Sequence, residues 1–117
     1  MTFRFDVIEI HATQKVMLAG RLDSVTSGYF EKDLLNLFNM QGCSVLMDFS
    51  ALNYISSAGL RIILMAAKKA KQVNGRLMLC DLQPNVRSVF EISGFLTIVE
   101  VVENQEAAFS LIGNQTA

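Results

Sequence analysis

The sequence predicts an α/β domain: a mixed β-sheet with an opening hairpin and βα repeats, its helices packed mainly on one face. Three observations predict it. The chain opens in period-two alternation, with Phe3, Phe5 and Val7 set against Arg4 and Asp6. From residue 44 onward, short apolar runs alternate with stretches of helical spacing, the order that gives right-handed crossovers and parallel neighbours. Hydrophobic residues make up 51% of the 117, enough for one core in a chain too short for two domains. The domain is expected over residues 1–113, with a frayed tail at 114–117.

Each element has its own signal. Residues 3–10 read as a strand, and a turn near His11–Gln14 leads into "KVMLAG", the second arm of a hairpin. "LDSVTS" is rich in hydroxyls and carries an acid, which predicts a loop ending in a helix cap at Thr26 or Ser27. Phe30, Leu34, Leu37 and Phe38 then recur at helical spacing to about Met40, and Gly42 stops that helix. "SVLMDF" suits a covered central strand ending in Asp48. Asp48 is expected to accept backbone hydrogen bonds from the loop after it. A second helix spans Ala58 to about Val73 and ends at Asn74–Gly75. "RLMLCD" is a buried strand, and "QPNVRSVFEISGF" places the only proline where a first helical turn tolerates it. "TIVEVV" supplies the last strand and "NQEAAFSLI" the last helix, behind an Asn cap.

Composition excludes several functions. The net charge is −1 and the ten Lys and Arg are scattered, whereas nucleic-acid binding needs a concentrated basic surface. No apolar run approaches the roughly 18 residues of a membrane span, and "MTFRFDVIEI" carries early charges unlike a signal peptide. Cys43 and Cys80 fit no metal motif and read as reduced core or near-core thiols; the cytoplasm is the expected compartment. His11, the single histidine, suits a surface or turn role better than a ligand role. No Ser–His–Asp order, glycine-rich phosphate loop or metal cluster is present, so neither enzyme activity nor a cofactor is expected. A metal-dependent aspartyl-phosphate receiver would put an acid where Asp48 stands. It would also need acids after the first strand, where the chain reads "HATQK", and Asp81 stands alone.

The stretch "NYISSAGLR" is the most informative. On the helix from Ala58, Leu60, Ile63, Leu64, Ala67 and Ala70 form the expected core face, with Arg61, Lys68, Lys69 and Gln72 opposite. Met65 falls in the middle of the polar face and Ile62 at its edge, either as lone exposed apolar residues or as a partner-binding strip. Ser57 is the expected cap, accepting from the amide of Gly59 or Leu60. One cap needs one hydroxyl, yet Ser56 and Ser57 are adjacent. Gly59 weakens the first turn, and its missing side chain is read as leaving the amides open to an approaching group.

Taken together, "GRLDSVTSGYFEKDLLNLF", the D-x-S of Asp48 and Ser50, the "SSAGLR" turn and "NVRSVFEISGF" match a known family in order and spacing. The chain closely resembles the STAS domain, specifically the single-domain bacterial anti-sigma factor antagonists, over nearly its whole length. The resemblance implies a partner-switching protein that catalyses nothing. It would bind an anti-sigma factor that is a serine kinase, or a related switch kinase, and so release a sigma factor. Phosphorylation of a serine at the start of the second helix would dissociate the complex, and a PP2C-type phosphatase would reset it. The best-known motif reads Asp-Ser-Ser-Gly with the phosphate on the serine touching the glycine. Here Ala58 takes that place and Ser56 the aspartate's, so the acceptor is Ser57 or Ser56, with Ser57 favoured as nearer the aligned site.

The resemblance also implies a partner surface. It places Asp23 and Ser24 in a loop beside the phosphorylation site, where Asp23 is assigned partner contact, against the plainer reading of a cap or turn residue. With them go Ser56, Ser57, Gly59, Arg61, Ile62 and Met65. A monomer or weak dimer is expected. STAS domains also serve lipid-transport ABC ATPases as accessory subunits, anion transporters and stress-signalling complexes. The accessory form would have no use for paired serines, and the transporter form needs membrane spans.

Overall fold

The computed structural model describes residues 3–116, with side chains to Ile112. Strands β1 (Phe3–Ile10) and β2 (Thr13–Leu22) form an antiparallel hairpin. Its two-residue turn puts His11 at φ 50° and Ala12 at φ 61°, the left-handed pair that a primed turn requires. His11 is therefore a turn residue, its ring edge-on to Phe109. A left-handed alanine costs about 1–2 kcal/mol, part of which glycine returns as unfolded-state entropy. Ala12→Gly is expected to raise the denaturation midpoint, by up to about 1 kcal/mol in stability.

Strand β3 (Ser44–Ile55) pairs parallel to β2, β4 (Arg76–Cys80) parallel to β3, and β5 (Glu100–Val102) parallel to β4. The sheet order is β1-β2-β3-β4-β5, mixed as expected. Helices α1 (Ser24–Asn36), α2 (Ser57–Gln72) and α3 (Pro84–Ser93) pack on one face, burying Phe30, Leu34, Ile63 and Phe90 against Val16, Leu18, Met47 and Phe49. Helix α4 (Gln105–Thr116) covers the other face, where Ala108 and Ile112 meet Leu46, Met78 and Cys80. Of the tail expected to fray, residues 114–116 lie in α4 and Ala117 lies outside the described residues.

Several boundaries differ from the sequence reading. Helix α1 ends at Asn36 rather than near Met40, and Gly42 lies beyond it at φ 75°. The expected strand "TIVEVV" shortens to β5, because Gly94 closes α3 in the left-handed region and a 3-10 turn follows at Phe95–Thr97. The buried face of α2 is Gly59, Leu60, Ile62, Ile63, Ala66 and Ala70, with Leu64 and Ala67 only half-buried. The buried face is rotated from the expected one, away from Leu64 and Ala67 and toward Gly59, Ile62 and Ala66. Here the small side chains let the helix sit close to the sheet. At the far end of α2, a Cβ on Gly75 would lie 2.3 Å from the Cys43 carbonyl oxygen, so only glycine fits.

Candidate functional site

Strand β3 does not end at Asp48; it runs on to Ile55. Beyond Asp48 its register against β2 slips twice, first between Met17 and Ala19 and again between Gly20 and Arg21. Each slip adds a residue to β3, a bulge that leaves backbone groups without ladder partners. Side chains supply them. Asp48 Oδ1 accepts from the Ser50 amide at 2.9 Å, the role expected of it. From the start of α3, Gln83 Nε2 donates to the Ser50 carbonyl and Asn85 Nδ2 to the Asn53 carbonyl, both at 2.7 Å. The bulged arm therefore carries Ile55 to the end of β2, paired with Leu22, and places Ser56 and Ser57 just beyond it. Asn85→Ala is expected to cost about 1 kcal/mol, read as a lower urea midpoint.

Ser56, not Ser57, caps α2. Its backbone is extended (φ −95°, ψ 175°), its amide donates to the Leu22 carbonyl at 2.9 Å, and its Oγ accepts from the Gly59 amide at 3.2 Å. Ser57 is the first helical residue and is exposed. The adjacent hydroxyls thus divide their duties: one closes the helix and the other faces solvent. Ser56→Ala is expected to cost about 1 kcal/mol of stability, whereas Ser57→Ala leaves the melting temperature unchanged; thermal melts of the two variants separate the roles.

Gly59 is buried, which corrects its reading as an opening to the amides. A Cβ there would lie 2.7 Å from Ile55 Cγ1 and 2.8 Å from the Leu22 carbonyl oxygen. The glycine exists so that α2 can begin directly against the end of β2. Since Leu22 precedes the cap of α1, both helices start from one point in the fold. Asp23, rather than Thr26 or Ser27, caps α1. Its Oδ1 accepts from the Val25 and Thr26 amides at 3.0 Å each, while the Thr26 hydroxyl accepts from the Asp23 amide at 2.8 Å. The Thr26 amide, above all, holds the Asp23 carboxyl below its ordinary range. The neighbouring Ser24 is exposed.

The two helix starts differ in charge. That of α1 carries a carboxylate, but that of α2 is capped by a neutral serine and has no acid in its first turn. The positive end of the α2 dipole therefore has no acid of its own helix beside the exposed Ser57 hydroxyl. Arg61, one turn along, is exposed, 3.7 Å from Glu31 of α1 and 3.6 Å from Met65 Sδ. Met65 is half-buried at this surface. Ile62 is fully buried and points into the core, so it cannot belong to an exposed strip. Two residues that sequence reasoning passed over complete the surface: the Arg21 guanidinium lies 4.1 Å from the Tyr54 ring centroid. Only the bulged register makes them partners, and no local sequence signal shows it.

A second polar cluster lies on the α4 face, where ligand atoms of Asp48, Cys80 and Asp81 come within 4.8 Å of one another. Lys15 Nζ sits 3.8 Å from Asp48 Oδ2 and is hydrogen-bonded to Gln105 Oε1. The ammonium already supplies the positive charge that these acids attract. Burial, first of all, pushes the Cys80 thiol far up, which leaves it protonated and inert. Both cysteines are free. No helix among the described residues is long and apolar enough to cross a membrane.

The family model of the STAS domain matches residues 4–108. A Bordetella bronchiseptica protein provisionally named anti-sigma factor antagonist BtrV is 46% identical over 91 residues, 78% of each chain. Among solved structures, an anti-sigma-factor antagonist (STAS) domain protein from Planctomyces limnophilus superposes with a TM-score of 0.84 at 17% identity, covering 92% of this chain and 97% of its own. The Bacillus cell fate determinant SpoIIAA in its phosphorylated form gives 0.68 at 20% identity, covering 92% and 99%. At these identities the structures establish the shared fold, while the sequence matches establish kinship. This chain belongs to the STAS domain family, in its group of anti-sigma factor antagonists.

Proposed function

We propose that this protein is an anti-sigma factor antagonist that works by partner switching, with Ser57 as the phosphoacceptor. Unmodified, it docks a cognate anti-sigma serine kinase through the surface around the α2 start, and the sigma factor is released. The kinase then transfers the γ-phosphoryl group of ATP to Ser57 Oγ. An O–P bond forms at the serine, the bond to the β-phosphate oxygen breaks, ADP leaves and the hydroxyl proton is lost. A PP2C-type phosphatase restores the serine. The chain itself performs no chemistry and acts in the cytoplasm.

The observation that carries this reading is the division of labour between the serines. Ser56 is committed to the Gly59 amide, so Ser57 can be modified without loss of the cap. A phosphoserine carries about −1.5 to −2 charges, which the α2 amides and dipole accommodate locally. The scaffold therefore survives, and the cost falls on the interface: a partner packed on a neutral hydroxyl now meets a hydrated dianion. Arg61, Met65, Ser24, Asp23 and the Arg21–Tyr54 pair are the neighbouring surface available to that partner.

The test is to incubate the chain with the kinase and ATP and to map phosphate by mass over residues 54–61. The reading predicts a single phosphate on Ser57, abolished in Ser57→Ala. Phosphate on Ser56, or none, contradicts it.

A further inference from the structure

The opening strand carries a second interaction surface, away from α2. Among the described residues, strand β1 is the end of the sheet and pairs only with β2. The two-residue turn makes Ile10 and Thr13 its closing hydrogen-bonded pair, which fixes the phase of the hairpin. Arg4, Asp6, Ile8 and Ile10 therefore turn their backbone groups toward β2. Phe3, Phe5, Val7 and Glu9 turn theirs outward, a row of open donors and acceptors. Exposed edges are commonly blunted by proline, bulges or like charges; β1 has no proline, and its register against β2 is unbroken.

Beside this edge runs a groove of about 720 Å³ between β1 and α1, lined by Phe3, Phe5, Val25, Tyr29, Phe30 and Asp33. Val25 and Tyr29 on its rim are 63% and 78% exposed, although both are large apolar residues. We propose that a second copy of this chain docks here, by antiparallel pairing of β1 with β1 about a two-fold axis through Phe5.

The charges single out that register. Backbone phase allows the axis to pass only through a residue of β1. Through Arg4 or Asp6 it sets like charges face to face. Through Val7 it sets Phe5 against Glu9 and Asp6 against Ile8. Through Phe5 it pairs Phe5 with its own mate as a hydrogen-bonded pair, and Phe3 with Val7. Arg4 then faces Asp6 at both non-hydrogen-bonded positions, where cross-strand side chains lie closest. The two α1 helices fall on the same face of one continuous sheet, and the Val25 and Tyr29 rims meet across the axis. No other two-fold register combines open backbone, opposite charges and apolar closure.

Sedimentation equilibrium on the intact chain tests this. The unmodified protein is expected to associate reversibly to a dimer, with a Kd in roughly the micromolar to tens of micromolar range. Arg4→Asp alone, and Asp6→Arg alone, each put like charges opposite and are expected to weaken association more than about tenfold. An equal mixture of the two variants restores complementarity and is expected to give a heterodimer of near wild-type affinity. Both residues are exposed, so thermal melts of the variants taken below the dimer Kd stay at the wild-type value. A wild-type chain that stays monomeric to about 1 mM overturns the proposal and leaves the groove to another occupant. So does Arg4→Asp dimerising as well as wild type, or a mixture that fails to pair. The tested residues, Arg4 and Asp6, belong to β1 and not to the proposed kinase surface, so failure of this test leaves the phosphorylation reading standing.

Discussion

Ser57→Asp is expected to weaken binding to the partner kinase by roughly ten- to a hundredfold, about 1.4–2.8 kcal/mol, because it leaves a charge at the interface without a partner. One carboxylate carries less charge than a phosphate, so the effect is a lower bound for the phosphorylated chain. The same substitution leaves the fold alone. Ser57 is exposed at the first position of α2, and that turn holds no acid of its own. A carboxylate there interacts favourably with the helix dipole, by about 0.3–1 kcal/mol. The melting temperature is expected to be unchanged or slightly raised. Calorimetric titration beside a thermal melt checks both halves. A mutant that binds as tightly as wild type removes Ser57 from the interface.

Gly59→Ala has the opposite profile, a loss of stability that takes the site with it. Alanine gains up to about 1 kcal/mol in helix propensity over glycine, and less near a helix end. Against that, the new Cβ would meet the Leu22 carbonyl oxygen at 2.8 Å and Ile55 Cγ1 at 2.7 Å. The Ile55 side chain can turn aside, but the carbonyl is backbone and already accepts from the Ser56 amide. Overpacking of this kind costs about 1–3 kcal/mol, so the clash outweighs the propensity. The expected result is a lower denaturation midpoint and weaker kinase binding, since α2 must lift away from β2. A stabilised Gly59→Ala protein would show that the close approach is not obligatory.

Much of the fold was legible in the residues. Alternation marked β1 and apolar runs marked β3 and β4, while Asn74–Gly75 and Gly94 marked helix ends, each by a local rule. What escaped depended on tertiary pairing. The bulges that carry β3 past Asp48 follow from its register with β2 and from Gln83 and Asn85, more than thirty residues away in sequence. Ser57 is the cap the sequence suggests and Ser56 the cap the structure shows, because two adjacent hydroxyls satisfy the same capping pattern; the Ser56–Leu22 backbone bond decides between them. Ile62 falls on the rim of α2 when the face is centred on Leu60, Leu64 and Ala67; in the structure that face is rotated toward Gly59, Ile62 and Ala66. Asp23 was read both as a cap and as a partner contact; the structure shows the cap, and its part in binding is proposed.

The central claim is that a charge placed on Ser57 changes which protein can dock while the scaffold stays as it is. The most direct measurement is the affinity of the kinase for two forms of the chain, one unmodified and one carrying phosphoserine at position 57, each with its melting temperature. The account predicts a loss of affinity larger than that of Ser57→Asp and melting temperatures that agree. Equal affinities would contradict it, as would a phosphorylated chain that binds weakly only because it has unfolded.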